Sequence, residues 1–393
     1  MKGPSVLFPI SSTGIGGANV LPARLVEHMR HGSTWDARVC LSSRGANATL
    51  FEVNGFRPDY LGVPLVAEAD QQRVLKRIRY YGAAGYLRTY RQIFPYLRQR
   101  RPDLIHIHNA HDLFTWGLAG KLLGIPVLWH VHTFHQKRLG AAHFRLCDHM
   151  VFVSEATRQH FEQMSAGARG TMVHNGVDVA PLAALACPAA CRARLGVPPQ
   201  RLTIGFVGQL TPRKRPDWAV RAAIDLLEQG HDLQMLVAGE DKSKDGSNHA
   251  RLERMIRDAG WEDRIHLLGQ RADIADVMRA MDVFLFTSEA NGEAFPLVVL
   301  EAMAAATTVV STRSAGVPEA ISDRETGLLA RPDDYRHFLE RATEAVSDAG
   351  LRRRLAAAAH REALARFTIE RCADRVVDVY ERMMARRRPP RAT

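Results

Sequence analysis

The sequence predicts two α/β domains, each a doubly wound parallel sheet, joined by a short linker. Three observations predict it. Apolar runs of strand length alternate with helical stretches along most of the chain, the pattern of successive βα units. The alternation lapses in an Ala/Pro-rich segment and then starts again. Finally, 393 residues exceed what one hydrophobic core comfortably organises. The expected boundaries are 1–178 for the first domain, 179–200 for the linker and 201–369 for the second domain.

In order, Ser5 to Ser11 reads as a buried strand. Gly14-Ile15-Gly16-Gly17-Ala18-Asn19 then leads into a helix through Met29. Glycines before a helix let a backbone approach a phosphate. Asn19 stands where the dinucleotide fingerprint needs glycine, so the ordinary NAD reading fails. Ala37 to Ser43 and Tyr60 to Val63 read as strands, with a short helix near Ala48 between them. Gln71 to Arg100 is helical with a break expected around Gly82 and Gly85. It carries arginines and lysines, no acid, and interleaved Tyr80, Tyr81, Tyr86, Tyr90 and Tyr96. Such a stretch either lies on an anionic membrane surface or is a solvated face over a core stripe.

Leu104 to His108 is a strand running into Asn109-Ala110-His111-Asp112, and Leu113 to Leu123 a helix. Val127 to His132 is a second strand, running into Thr133-Phe134-His135. Polar residues past the carboxyl ends of parallel strands mark where open α/β sheets bind ligands. His108, Asn109 and His111 are therefore candidate cleft residues. No carboxylate or thiolate set accompanies the histidines at tetrahedral spacing, so no structural zinc is expected. A strand at His149 to Ser154, a helix at Glu155 to Met164 and a strand at Thr171 to Val177 complete this half. In the second half, strands are expected at 202–207, 233–239, 265–268, 283–286 and 309–312, with helices at 216–229, 251–259 and 274–281. A last helix spans 368–388.

Composition describes an ordinary globular chain, 46% apolar and 24% charged. No apolar run reaches the roughly 18 residues of a spanning helix, and the N-terminus lacks a signal-type core. Cytoplasm is the expected compartment, with a peripheral place at the inner membrane face as its variant. Five cysteines make no disulfide framework. Cys187 and Cys191, spaced C-x3-C, read as incidental or as a redox pair. The net charge of +11 comes mostly from arginine. It fits nucleic acid, an anionic lipid surface, an anionic substrate, or solvated faces decorated with arginine.

The most informative stretch is Ser288 to Ala305, SEANGEAFPLVVLEAMAA. Pro296 fits the first helical position, and Leu297, Leu300, Glu301 and Ala304 follow a helical repeat. The free amides of that first turn offer an anion site. Glu293 and Glu301 would repel the anion, so each suits a sugar hydroxyl instead. Upstream, Gly208-Gln209-Leu210-Thr211-Pro212-Arg213-Lys214 places two fixed cations just past a strand end, which suits a diphosphate.

Glu293 and Glu301, separated by seven residues and followed by Ala302-Met303-Ala304, resemble the E-x7-E segment of the retaining GT-B glycosyltransferases of family 4. The loop at Lys214, the VHNGVD piece around Asn175, Ser314 to Glu319 and Thr326 to Leu329 also resemble family segments. The likeness runs from residue 5 to about 330. It implies two Rossmann-like domains around an inter-domain cleft, the first on the acceptor side and completed by a C-terminal helix at about 370–393, the second binding nucleotide sugar. It implies transfer of a hexose-type sugar from a nucleotide diphosphate, UDP before GDP, to a saccharide or lipid-linked acceptor. Cell-surface or extracellular polysaccharide or glycolipid synthesis is the implied setting. On the same basis His132 and Glu293 are the catalytic residues, and Gly17, Arg213, Lys214, Phe295, Leu297, Val298 and Glu301 bind the donor. Gln209 departs from the arginine usual in the family, and Arg213 can supply that charge. Pro296 replaces a frequent glycine and brings no N–H. Neither a cofactor, an obligatory metal nor nucleic acid is expected as a partner. A nucleotide-sugar epimerase of the same fold and an inactive binding subunit are the alternatives.

Overall fold

The structure is a computed structural model, and it describes residues 3–12, 17–45, 47–53, 55–62, 74–134, 141–165, 168–183, 187–243 and 245–386. The chain divides into two compact units, Met1–Gly176 with Ile369–Thr393, and Val177–Thr368. The C-terminal segment from Ile369 groups with the first unit.

The first unit holds a seven-stranded sheet of β1 (Ser5–Ile10), β2 (Asp36–Leu41), β3 (Asp59–Tyr60), β4 (Leu104–Ile107), β5 (Val127–Val131), β6 (His149–Phe152) and β7 (Gly170–Met172). Its order is β3-β2-β1-β4-β5-β6-β7, with every pairing parallel. β1, β4 and β5 are buried along their whole length, as strands covered on both faces must be. The helix Trp116–Leu122 packs tightly on them. A methyl group at Gly120 would press on Ile105 and Val127 at 2.9 Å each. The helix Ile369–Ala385 closes the unit with a buried stripe of Ile369, Cys372, Ala373, Val376, Val379, Tyr380 and Met383.

The second unit repeats the plan with β8 (Leu202–Val207), β9 (Leu233–Ala238), β10 (Ile265–Gly269), β11 (Val283–Phe286), β12 (Thr308–Thr312) and β13 (Leu328–Ala330), in the order β10-β9-β8-β11-β12-β13. All of its pairings are parallel too. Helices at Pro216–Glu228 and Tyr335–Ser347 bury apolar faces against this sheet in one continuous core.

Three expectations are corrected. The break at Gly82 and Gly85 is absent, because one helix runs from Val74 to Arg100. An internal glycine costs a helix only about 1 kcal/mol, and Ile93, Tyr96 and Leu97 anchor the helix in the core. In its second half the aromatic stripe is thus a packing face. Tyr96 donates to Asp59 at 2.8 Å, and Arg100 pairs with the same carboxylate at 2.7 Å. Residues 71–73 lie outside the described residues, as do the side chains of Tyr80 and Tyr81. Next, the strands expected at 60–63 and 171–177 are shorter, and Val63 also lies outside the described residues.

Last, residues 179–200 are more than a linker, since they belong to the second unit and contain the helix Pro188–Arg194. The buried Arg192 fastens that helix. Its guanidinium donates to the Ala280 carbonyl at 2.8 Å, the Pro199 carbonyl at 3.0 Å and Asp282 at 2.6 Å. Asp282 also accepts from the Thr203 amide at 2.8 Å, tying the start of β8 into the same knot. Cys191 is buried on this helix, its sulfur accepting from Arg194 at 3.3 Å and facing Asp276 at 3.6 Å, and Cys187 is exposed at its N-cap.

Arg192→Leu removes a buried donor and leaves two carbonyls and a carboxylate without their partner. The expected loss is about 3 kcal/mol, read by urea unfolding; a loss below about 1 kcal/mol would show that the helix is held by other contacts.

Candidate functional site

The second unit builds its cationic turn directly off β8. Gly208 and Gly239, which follow neighbouring strands, approach so closely that a side chain at Gly239 would strike the Gly208 carbonyl oxygen. That contact sets the path of Gly208 to Thr211 into a single 3-10 turn, Pro212–Lys214. Arg215 ends the turn in the left-handed region, at φ 48° and ψ 53°. This conformation is costly for a non-glycine residue and needs support. The support is an ion pair to Asp333 at 2.6 Å and stacking on Trp218 at 4.5 Å. The sharp reversal starts the helix Pro216–Glu228 and leaves Arg213 and Lys214 beside the loop that follows β11.

That loop is pinned by hydrogen bonds from its neighbours. Thr312 donates to the Ser288 carbonyl at 2.6 Å and Ser314 to the Glu289 carbonyl at 2.7 Å. The Glu289 amide donates to the Arg213 carbonyl at 3.0 Å, stitching loop to turn. Glu293 is thereby held where Lys214 Nζ lies 2.6 Å and Arg213 Nη1 2.8 Å from the same oxygen, Oε1. Arg213 also donates to the Gly292 carbonyl. The Lys214 and Glu293 side chains are only 14% and 13% exposed, whereas Arg213 is 46% exposed. The Lys214 ammonium also sits 5.6 Å over the Phe286 ring, which lies at the end of β11. Two cations sharing one carboxylate leave a net positive turn that an entering anion can compete for.

The helix after the loop is Leu297–Ala304. Pro296 is its N-cap, in extended backbone, one residue ahead of the first helical position expected for it. The first amides, those of Leu297 and Val298, have no partner within the helix, and both residues are half-buried. Glu301, also half-buried, follows one turn on. Phe295 is different. It is buried, and its ring packs 5.6 Å from Phe367, so its side chain is a core contact.

In the first unit, His132 and His108 come together at the ends of β5 and β4, with His132 Nε2 and His108 Nδ1 2.8 Å apart. They top a column of imidazoles. His108 stacks on His132 at 5.0 Å, His130 on His132 at 4.4 Å, and His106 on His130 at 5.3 Å with an interplanar angle of only 6°. Burial, reinforced by the neighbouring imidazoles, holds His106, His108 and His130 well below the usual histidine range. Burial alone pushes His132 down to about 3. All four are therefore neutral at physiological pH.

His111 lies apart from this pair, 3.3 Å from Asp112, whose carboxylate also accepts from Ser11 at the end of β1. Asn109 caps the 3-10 turn Ala110–Phe114 with extended backbone. Gly17 opens the first helix, Gly17–Gly32, while residues 13–16 of the glycine loop lie outside the described residues. Asn19, which spoils the dinucleotide fingerprint, is buried and accepts from Ser12 at 2.7 Å. Three participants escape linear reading: His106, His130 and Tyr380, the last donating or accepting at 2.6 Å to His106 Nδ1 from 274 residues away. The signal available for the histidines was their i, i+2 spacing on two adjacent strands.

The chain is similar to known glycosyltransferases. The family model described as Glycosyltransferase Family 4 matches residues 15–181, and that described as Glycosyl transferases group 1 matches 190–362. A D-inositol 3-phosphate glycosyltransferase of Kineococcus radiotolerans is 31% identical over 317 residues, covering 72% of each chain. One of Stackebrandtia nassauensis is 36% identical over 204 residues, which are 50% of this chain and 45% of that one. Against several of these relatives, then, the match spans about half of their length. Anabaena HepE, solved in complex with UDP and glucose, superposes with a TM-score of 0.79 at 21% identity, covering 96% of this chain and 99% of its own. A glycosyltransferase from Rickettsia africae gives 0.81 at 16% identity, covering 98% and 99%. At those identities the two structures speak for the fold. The fold is GT-B, and the chain belongs to glycosyltransferase family 4.

Proposed function

We propose that this chain moves a hexose-type sugar from a nucleoside diphosphate donor, UDP before GDP, to a hydroxyl of a saccharide or lipid-linked acceptor, with retention at the anomeric carbon. Synthesis of cell-surface or extracellular polysaccharide or glycolipid is the setting that goes with it. The observation that carries the reading is the convergence of Lys214 and Arg213 on one oxygen of Glu293, at a strand-end turn beside the amide end of the helix Leu297–Ala304. Relatives that bear the name D-inositol 3-phosphate glycosyltransferase add a phosphorylated cyclitol to the acceptors worth testing. The structure of HepE with UDP and glucose supports the choice of UDP.

Breaking a sugar–phosphate bond develops negative charge on the departing diphosphate and positive charge at the anomeric carbon. Preorganised groups of the right sign at each end lower that barrier. In this reading Lys214 and Arg213 transfer part of their pairing from Glu293 to the phosphates, and the Leu297 and Val298 amides add neutral donors without an obligatory metal. Glu293, relieved of its cations, accepts from a sugar hydroxyl, and Glu301 does the same for the ribose. His132, neutral by burial, takes a sugar hydroxyl as donor or acceptor without adding charge.

Donor turnover by a panel of UDP- and GDP-hexoses, followed by mass spectrometry with and without acceptor, tests this reading. Nucleotide release that depends on acceptor is expected; release without any acceptor would turn the assignment towards an epimerase or hydrolase. Lys214→Ala should lower kcat/KM by about a hundredfold to a thousandfold, the scale for one preorganised donor. Glu293→Gln should lower kcat by at least about a hundredfold with an unchanged melting temperature, and full activity in that variant would remove Glu293 from the chemistry.

Histidines of an unfolded chain take up protons below about pH 6.5, whereas these four stay neutral in the folded protein to much lower pH. The unfolded state then binds more protons. Stability is complete above about pH 6.5 and falls as pH drops towards 3, by about 1.4 kcal/mol per unit for each histidine that remains neutral. Urea midpoints measured in metal-free buffer between pH 7 and 5 check this; a flat profile would mean that the four imidazoles take up protons in the fold as they do in the unfolded chain.

A further inference from the structure

The imidazole column of the first unit carries more nitrogen than its hydrogen bonds employ. His106 and His108 alternate along β4 and into its end, and His130 occupies the same face of β5, whose register pairs His106 with Leu128 and Ile107 with Trp129. All three are buried, at 0%, 3% and 0% exposure. His106 Nδ1 is engaged by the Tyr380 hydroxyl at 2.6 Å and His108 Nδ1 by His132 Nε2 at 2.8 Å. The opposite nitrogens, His106 Nε2 and His108 Nε2, and both nitrogens of His130, have no hydrogen-bond partner among the described residues. One nitrogen from each of the three rings lies within 4.8 Å of the others.

We propose that His106, His108 and His130 form a binding site for a first-row divalent transition metal, with Zn2+ the ion that fits best. Buried polar atoms are almost always partnered, and three buried rings that each carry an unpartnered nitrogen and offer one nitrogen within 4.8 Å of the others invite a shared partner. Imidazole-only donors suit zinc, nickel or copper and do not suit magnesium or calcium, which take oxygen. Zinc holds imidazole nitrogens at about 2.0–2.1 Å, so occupancy requires the stacked His106 and His130 rings, now 6° from parallel, to turn towards the ion. Three protein ligands leave a fourth position for water or hydroxide.

The partners of the outer nitrogens are those a metal site needs. Ligating histidines characteristically donate their second N–H to a fixed acceptor, which sets tautomer and ring orientation. Ligation through Nε2 puts the proton of His106 on Nδ1, donating to Tyr380, and the proton of His108 on Nδ1, donating to His132. His132 Nε2 must then accept and its Nδ1 carry the proton, so metal occupancy fixes the tautomer of the histidine assigned to the donor sugar. The inference goes beyond the transferase reading and stands on independent geometry, because ion binding is measured without any donor.

The test uses the full-length, tag-free protein stripped with chelator and titrated with Co2+, then Zn2+. One Co2+ per chain with visible d–d bands of a nitrogen-ligated ion is expected, displaced by one Zn2+ with sub-micromolar affinity. His130→Leu, which replaces a buried ring by an apolar side chain, removes the stacking on His132 at 4.4 Å but neither outer hydrogen bond, and should weaken Zn2+ binding at least a hundredfold while circular dichroism stays native. Tyr380→Phe keeps every ligand and should weaken binding about tenfold to a hundredfold. Anomalous scattering at the zinc edge from a soaked crystal should place the ion among the three rings. Wild-type protein that binds no Co2+, or binds it as well after His130→Leu, overturns the proposal, as does an anomalous peak confined to surface histidines.

Discussion

Every strand in both sheets pairs parallel to its neighbours, and most of what is distinctive here depends on that constraint. In a parallel sheet all the carboxyl ends leave along one edge, and helices cover both faces. Side chains within the strands are therefore locked in core. The first residues past the strand ends are the ones able to meet a ligand. Asn109 and His132 follow β4 and β5, and the Lys214 turn and the Glu293 loop follow β8 and β11. Strands adjacent in each sheet supply them, β4 beside β5 and β8 beside β11, so residues far apart in sequence become neighbours without any special packing.

The two units handle polar groups in opposite ways. In the second, charge is retained and balanced locally: two cations share one carboxylate oxygen, and the loops that carry them are tied by hydroxyl-to-carbonyl hydrogen bonds from Thr312 and Ser314. Such a triad responds to an incoming anion because its pairing can be exchanged. In the first unit charge is suppressed: three buried imidazoles and the half-buried His132 stack together, and desolvation keeps them neutral. Neutral rings there keep their lone pairs available to a partner.

Several features were legible along the chain because each rests on local chemistry. Strand and helix alternation, the strands 202–207 and 283–286 and the helix 155–164 followed from hydrophobic periodicity, and the cationic turn followed from adjacent Arg213 and Lys214 past a strand end. Other expectations failed where tertiary contacts outweigh local preference. Glycines at 82 and 85 suggested a helix break, yet core packing farther along carries the helix through. The Ala/Pro composition of 179–200 suggested a linker, yet the buried Arg192 welds most of it to the second unit.

The sequence by itself determined most of the strands and helices, but it did not mark β13 or the helices Tyr335–Ser347 and Ala349–Arg366. It also determined the two-sheet plan and which loops carry ionisable groups, because periodicity and turn chemistry act over a few residues. Only the tertiary structure decided which of those groups meet. Glu293 reaches Lys214 across 79 residues, and Tyr380 reaches His106 across 274. The physical reason is that strand order is a global property. It is set by how helices cover the sheet, and it brings β4 to β5 and β8 to β11 through pairings that no local pattern of residues encodes.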